Sequence, residues 1–271
     1  MTEQKYNIKN AIKFIRDAIK GENMDYTTGS IRTAVLMLAI PMILEMCMES
    51  VFALVDIFFV GHLPNAEHTV QTVGLTESVI TLVYSLAIGV AMAATAVVAR
   101  RVGEKNYEEA SNAAVQSLWV ALSLTTVISI IGFVFAEDIL RIMGAEEETI
   151  RIGSNYTRIV MAGSLPIMLL FLINGIFRGA GNASIAMKSL WLANICNIIL
   201  CPTLINGLGP IPAFGVTGAA MATTMGRSIG VCYQAYHLFK GNGIIKLHKS
   251  NLRVDWSVIR NIINIASPGT L

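Results

Sequence analysis

Residues 34–60 read AVLMLAIPMILEMCMESVFALVDIFFV, an apolar stretch long enough to cross a bilayer. The stretch carries three carboxylates, Glu45, Glu49 and Asp56. Because an α-helix turns about 100° per residue, side chains four and eleven residues apart lie within about 40° of each other. The three acids therefore share one helix face. Since a carboxylate inside a bilayer costs about 2.5–3.5 kcal/mol, we expect this face to meet a cavity, a partner helix or an ion path instead of lipid.

The composition of the whole chain is that of an integral membrane protein. Its 271 residues are 54% apolar and 14% charged, with a mean hydropathy of +0.60, whereas soluble domains are about 25% charged. The lipid bilayer is therefore the expected surrounding. A net charge of +2 without a basic face argues against nucleic acid as a partner. The first 33 residues are polar and lack the pattern of a cleaved leader, so the first apolar run is expected to remain as a transmembrane helix.

Six apolar runs reach the length of about 20 residues that a bilayer requires. They lie at about 34–60, 70–98, 111–135, 156–177, 189–206 and 215–238, and a seventh begins near residue 257. This pattern predicts an all-α polytopic membrane protein with a six-helix transmembrane lobe and the start of a seventh helix. The predicted organisation is a cytoplasmic amphipathic segment at 1–33, the lobe at 34–240, a cytoplasmic linker at 241–256, and the start of transmembrane helix 7, in a truncated second lobe, at 257–271.

The distribution of Lys and Arg predicts the orientation of the chain. These residues are concentrated in the N-terminal segment and in the loops around 100–105, 178–188 and 240–253. Because positively charged loops stay on the cytoplasmic side, we predict a multi-pass protein of the cell inner (plasma) membrane with a cytoplasmic N-terminus. Residues 6–20 place isoleucines on one helix face among lysines, which is typical either of a helix on the inner leaflet or of a solvated helix packed on the bundle.

The acidic face of the first run has two possible roles. The three carboxylates could bind a proton or a cation, and Pro41, one turn from Glu45, removes a backbone hydrogen bond and allows the helix to bend. Intramembrane acids are functional by default. The alternative is that donors from neighbouring helices simply satisfy the three acids.

Two further runs place polar side chains inside the predicted membrane. Asn194, Asn197 and Cys201 share a helix face through spacings of three and four, and an Asn amide can coordinate a cation, hold a carboxylate or only join two helices. Arg227 lies inside the sixth run and needs a partner, either an acid of the first run or, through its long side chain, the membrane surface.

The first run is also rich in methionine, at Met37, Met42, Met46 and Met48. Such surfaces adapt to varied apolar ligands, although plain lipid-facing or core packing is the simpler explanation. No P-loop, GxSxG or HExxH motif occurs. We therefore expect no enzyme activity and no cofactor, and any transport is expected to be secondary, with a proton or sodium ion as the coupling ion.

Four strings in the chain resemble motifs of the MATE (multidrug and toxin extrusion) family of ion-coupled exporters. VDIFFVG at 55–61 resembles D-x-x-F-x-G, and RGAG at 178–181 resembles R-G-x-G. NIILCP at 197–202 resembles N-x-x-L-D-P, and GVTGAAMAT at 215–223 resembles GVxGAAxAT. Their order and spacing identify the chain as similar to the N-terminal lobe of this family.

The resemblance implies twelve helices in two six-helix lobes around a central cavity. It also implies a secondary active multidrug efflux antiporter that exports cationic or amphipathic small molecules in exchange for protons or sodium ions. The family's N-lobe ion site corresponds to Asp56 and Asn197, and to Thr223. The family's fifth-helix Asp is replaced by Cys201, and a thiol is a poor ligand for sodium. Glu45 or Glu49 could compensate for that loss, which would favour proton coupling.

The chain has about half the length that the family fold needs, so a missing C-terminal lobe is the expected partner. The chain is then a fragment, a truncated product or a piece that pairs with another chain. Two other functions stay open. A lipid-linked precursor flippase shares the lobe architecture but would need a cationic cavity, which Arg227 alone does not supply. A non-transporting membrane half-protein is the other.

Overall fold

A computed structural model describes residues 8–21, 30–63, 66–240, 243–245 and 253–266. Within those ranges the chain is helical, and the only β pairing is an isolated bridge between Leu208 and Ile211. The predicted all-α class is therefore confirmed. Residues 1–7, 22–29, 64–65, 241–242, 246–252 and 267–271 lie outside the described part, so the predicted terminal segments and linker are covered only partly.

The described residues form ten helices. They are α1 (Ile8–Lys20), α2 (Ile31–Gly61), α3 (Ala66–Gly103), α4 (Tyr107–Val134), α5 (Ala136–Ile142), α6 (Glu147–Ala162), α7 (Ser164–Gly179), α8 (Ala183–Asn206), α9 (Val216–Phe239) and α10 (Trp256–Ala266). Helices α2, α3, α4, α8 and α9 correspond to five of the six predicted runs. The remaining run, at 156–177, corresponds to α6 and α7 together.

Four segments of the described chain are long and apolar enough to cross a membrane. They are 67–103, 107–134, 147–179 and 183–206. Helices α2, with its three carboxylates, and α9, with a buried arginine, are not in this set, although their lengths of 31 and 24 residues suffice for a crossing. Helix α3 also carries a carboxylate, Glu77, within its span.

The fourth predicted run differs from the structure at both its start and its middle. The helix begins at Glu147, well before residue 156, and two acids in its first turn favour that start because they oppose the positive end of the helix dipole. It then breaks at Gly163, three residues before Pro166. Pro166 has no N–H to donate back along the helix, and a Cβ on Gly163 would lie 2.6 Å from a Thr224 side-chain oxygen of α9.

Glycine pairs bring the central helices into close contact. A Cβ on Gly175 or Gly179 of α7 would lie 2.6 or 2.7 Å from backbone oxygens of α3. On α9, a Cβ on Gly226 would lie 2.6 Å from a backbone oxygen of α8, and Gly230 faces the same turn of α8. Both pairs have GxxxG spacing, which lets helix backbones approach closely in membranes. Gly226 and Gly230 are therefore packing residues of the contact between α8 and α9.

Helix α2 lies at the edge of this core and turns its acidic face inward. Glu45 and Asp56 are buried, with 6% and 8% of their surface exposed, whereas Leu54 on the opposite face is 71% exposed. The acidic face meets α7, α8 and α9. The expectation that the acids avoid the lipid-facing side is therefore confirmed for Glu45 and Asp56.

The two terminal helices pack on the lobe. Near the end of α1, the backbone oxygen of Ile19 accepts a hydrogen bond from Ser184 Oγ of α8 at 2.5 Å, while Ile12 and Ile15 stay exposed. Helix α10 packs on α3 and α4 through buried side chains that include Ile262. The end of α1 is thus docked on the bundle, its two exposed isoleucines are free to face a membrane, and the predicted seventh helix begins at Trp256.

Candidate functional site

The three acids of α2 do not form one joint site. Each meets a different set of side chains on α7, α8 or α9. Helix α2 runs without interruption through Pro41, from Ile31 to Gly61. An indole N–H of Trp191, on α8, donates to the backbone oxygen of Leu44 at 3.1 Å. The segment just after Pro41 is therefore tied to the core.

Glu45 is held by α7 through one of its two carboxylate oxygens. Asn174 Nδ2 donates to Glu45 Oε1 at 3.1 Å, and Arg178 Nη2 lies 3.9 Å from the same oxygen. The other oxygen, Oε2, is buried and has no hydrogen-bond partner among the residues that the structure describes. Glu45 is thus only half satisfied by the protein.

A buried amide network fixes the orientation of Asn174. Its Oδ1 accepts from Gln234 Nε2 at 2.6 Å and from Ser189 Oγ at 3.1 Å, and Gln234 also donates to the backbone oxygen of Leu170 at 3.2 Å. The Asn174 amide must therefore point its N–H₂ at Glu45. Sequence reasoning missed Asn174 and Gln234. The available signal was a polar residue inside an apolar run, the same signal that identified Arg227.

Glu49 forms a charged cluster with α8 and α9. Arg227 donates from Nη1 to Glu49 Oε2 at 3.2 Å and from Nη2 to Oε1, and Asn194 Nδ2 donates to Oε2 at 3.1 Å. The guanidinium carbon also lies 5.0 Å from the ring centre of Phe52. Arg227 is 1% exposed, so of its two predicted partners, an acid and the membrane surface, the structure selects the acid.

Asp56 has a weaker partner than the other two acids. Cys201 Sγ donates to Asp56 Oδ1 at 3.7 Å, and a thiol is a weak donor. Asn197, one turn earlier on α8, donates to Thr223 Oγ1 at 3.0 Å, and its own Oδ1 is buried without a partner in the described chain. The structure therefore brings Asn197 to Thr223, and Asp56 to Cys201.

The proposal that Glu45 or Glu49 compensates for Cys201 does not agree with this geometry. Both glutamates are engaged by other helices, and they lie roughly 16 Å and 10 Å from Asp56 along the helix axis. Their side chains are too far along α2 to reach the position opposite Asp56. In this arrangement the Cys201 thiol is the hydrogen-bond donor to Asp56, and Glu77 of α3 lies close enough to Asp56 for their charges to interact.

A groove of about 560 Å³ opens beside Glu45, between α2, α3 and α7. Its walls are mainly apolar and include Met42, Met46, Met92 and Phe171. Two of the methionines that the sequence singled out therefore line a cavity. Within the described ranges, no group of three or more His, Cys, Asp or Glu side chains could hold a metal ion.

Comparison with known proteins shows which family this chain resembles. The MatE family model matches residues 41–203. Multidrug export protein MepA of Staphylococcus aureus is 22% identical over 254 residues, which are 93% of this chain and 55% of that protein. Probable multidrug resistance protein NorM of Thermotoga maritima is 28% identical over 239 residues, 88% of this chain and 51% of that protein. The chain spans about half the length of the curated relatives it matches.

Solved structures share the fold over nearly the whole chain. A MOP superfamily transporter from Pyrococcus furiosus superposes with a TM-score of 0.81 at 29% identity, covering 95% of this chain and 54% of that one. The outward-facing conformation of a multidrug resistance MATE family transporter gives the same values. The arrangement of α2 to α10 is therefore that of one half of such transporters.

Proposed function

Because this chain belongs to the MatE family, we propose that it is the N-terminal half of a secondary active multidrug efflux antiporter. The proposed substrates are cationic or amphipathic small molecules, exported in exchange for protons. The names of its relatives, a multidrug export protein and a multidrug resistance protein, support this substrate class. The chain is a multi-pass membrane protein by its family and fold, and a second lobe is its proposed partner. Location in the plasma membrane with a cytoplasmic N-terminus is part of the same proposal.

The observation that carries the proton assignment is the contact between Asp56 and Cys201. Sodium prefers several oxygen ligands, and here a thiol takes the place where the family pattern has a carboxylate. A proton needs only one carboxylate oxygen. Asp56 is buried and its partner is weak, so uptake of a proton breaks no strong contact.

The same weak contact gives proton uptake a mechanical consequence. When Asp56 is ionised, the Cys201 thiol donates to it and ties the outer part of α2 to α8. Protonation of the carboxylate removes the charge that strengthens this hydrogen bond. The outer part of α2 is then free to move relative to α8, with Pro41 as the flexible point of the helix. Movement of α2 changes the shape of the cavity and releases substrate to the outside.

Ethidium export into the lumen of everted vesicles, whose cytoplasmic face points outward, tests this proposal. The chain is expressed alone and together with a second lobe, and an imposed proton gradient or sodium gradient drives transport. We expect proton-driven efflux when both lobes are present, and we expect Asp56→Asn to abolish it while membrane insertion is retained. Glu67→Gln, at the exposed start of α3, is the matched control and should transport normally. Normal efflux by the Asp56→Asn variant would disprove the assignment.

The flippase alternative loses its main candidate residue in this structure. Arg227 is paired with Glu49 and does not supply a free positive charge for a pyrophosphate. The non-transporting alternative is tested by the same vesicles. A chain that inserts but supports no efflux with any second lobe would favour a regulatory or sensory role.

A further inference from the structure

A second cavity, of about 460 Å³, lies where three helices reach the same end of the lobe. Helices α7 and α9 end beside it, at Gly179 and Phe239, and α8 begins beside it, at Ala183. Because the ends of spanning helices lie at the membrane surface, the cavity is at the level of the lipid headgroups. The loops at this end are rich in Lys and Arg, so this is the side predicted to be cytoplasmic.

The polar side chains that line this cavity can all donate hydrogen bonds. They are His237 and Lys240 of α9 and Asn182, which precedes α8. Asn182 Oδ1 accepts from the backbone N–H of Ile185 at 3.3 Å, so the amide nitrogen of Asn182 is the group left to donate to a ligand. No carboxylate is among the described residues that line the cavity. An anion in the cavity would therefore meet donors and no competing acid.

Positive charge is concentrated around His237. The charges of Lys240 and Lys188 both act on its ring, and Lys188 Nζ donates to the backbone oxygen of Lys20, at the end of α1, at 3.2 Å. In the described part of the chain, neither of these two lysines forms an ion pair with a carboxylate. Like charges held together without a counter-ion repel each other. A bound anion would relieve that repulsion.

Exposed aromatic side chains beside the cavity favour a lipid over a free anion. Phe239 and Tyr236 of α9 are 74% and 57% exposed, and Lys240 Nζ lies 5.3 Å from the centre of the Tyr236 ring. Aromatic side chains at the end of a membrane helix sit among the lipid headgroups. A lipid phosphate in the cavity would keep its acyl chains against this exposed side of α9. Inorganic phosphate would gain nothing from these aromatic surfaces.

We propose that the cavity between the ends of α7 and α9 and the start of α8 binds the phosphate of an anionic phospholipid, with Lys240, His237 and Asn182 as its donors. Lys188 adds attraction from a greater distance. Basic pockets between membrane helices on the cytoplasmic side suit such headgroups. A zwitterionic lipid fits less well, because it brings its own ammonium group to these cations. The proposal does not depend on transport and holds whether or not the chain exports a substrate.

Native mass spectrometry of the 271-residue chain in detergent micelles tests the proposal, because it resolves the binding of single lipid molecules. The probes are dioleoyl phosphatidylglycerol, dioleoyl phosphatidylcholine and inorganic phosphate. We expect the first phosphatidylglycerol to bind about tenfold more tightly than phosphatidylcholine, and Lys240→Gln to weaken its binding by about fivefold. Lys105→Gln removes the same charge from an exposed position in the loop between α3 and α4, and it should change binding by less than about twofold.

A conservative variant separates loss of the site from loss of the fold. Lys240 is exposed, so its replacement leaves the packing of α9 intact, and thermal unfolding without added lipid checks this for each variant. Lys240→Arg keeps the charge and should bind phosphatidylglycerol within about twofold of the original chain. Three results would overturn the proposal: equal affinity for the two lipids, equal losses in Lys240→Gln and Lys105→Gln, or inorganic phosphate binding as tightly as phosphatidylglycerol.

Discussion

The N-terminal and C-terminal halves of α2, called inner and outer after the proposed orientation, carry acids on the same face, but the lobe holds them differently. In the inner half, Glu45 and Glu49 receive amide and guanidinium donors from α7, α8 and α9, and Trp191 adds a contact to the backbone. In the outer half, Asp56 meets one thiol. The donors of the inner half are charged or amide groups, whereas the outer donor is weak. The comparison indicates an anchored inner segment and a releasable outer one.

The difference arises from the partner helices and not from α2 itself. Helix α8 presents Asn194 to the inner half and Cys201 to the outer half. Helices α7 and α9 supply the cations Arg178 and Arg227 to the inner half. A protonatable group is useful for coupling where its partner is weak, because little stabilisation is lost when the charge disappears. The outer acid has that property. The inner acids are tied to the neighbouring helices by their donors.

The largest loss of stability is expected when Arg227, the cation paired with Glu49, is removed. Arg227→Leu leaves Glu49 with Asn194 as its remaining described partner. We expect the free energy of unfolding to fall by about 2–3 kcal/mol. This is less than for a fully buried ion pair, because the Glu49 side chain is 33% exposed. Unfolding in mixed micelles measures this change. Arg151→Ala, at an exposed pair with Glu148, is the control and should change stability by less than about 1 kcal/mol. If both variants behave alike, the inner half is not anchored.

Substitutions in the amide network of Asn174 should lower the free energy of unfolding by smaller amounts. Asn174→Leu removes the neutral donor to Glu45 and the acceptor for Gln234, so we expect a loss of about 1–3 kcal/mol. Ser189→Ala removes one of two donors to Asn174 and should cost about 0.5–1.5 kcal/mol. Both are measured by the same unfolding experiment. A larger loss in Ser189→Ala than in Asn174→Leu would show that the network does not act through Glu45.

The smallest effect on stability is expected in the outer half. Cys201→Ala removes the thiol donor to Asp56 and should change the free energy of unfolding by less than about 1 kcal/mol. Cys201→Asp adds a second carboxylate opposite Asp56, and we expect it to make efflux responsive to a sodium gradient. Vesicles with equal pH and an imposed sodium gradient measure that response. No sodium response in the Asp variant would indicate that Cys201 does not set the choice of ion.

Much of this arrangement could be predicted from the spacing of residues. The steps of four and eleven that separate the acids on α2 imply a shared face, and the GxxxG pair on α9 implies a close helix contact. The position of Arg227 in its apolar run did not show whether its partner is an acid or the membrane surface. The partner depends on how far α9 is displaced and rotated against α2, and those quantities are set by glycine contacts with α8.

The break between α6 and α7 is a second feature that local sequence does not predict. Gly163 and Pro166 lie inside the predicted run, whose apolar length alone predicts one helix. Proline is tolerated in the first turn of a helix, so the same residue fits a break or a kink. Contact of Gly163 with Thr224 on α9 decides for the break. Local sequence does not contain that contact.

Hydrophobic length and helical periodicity are properties of a single segment, so the amino-acid sequence was enough to predict a helical, membrane-embedded protein with three acids on one side of α2. The contacts that each acid makes follow from the tertiary packing. Hydrogen bonds and ion pairs depend on side chains that lie 129, 145 and 178 positions apart in the chain, and the packing of α7, α8 and α9 alone brings those donors to Glu45, Asp56 and Glu49.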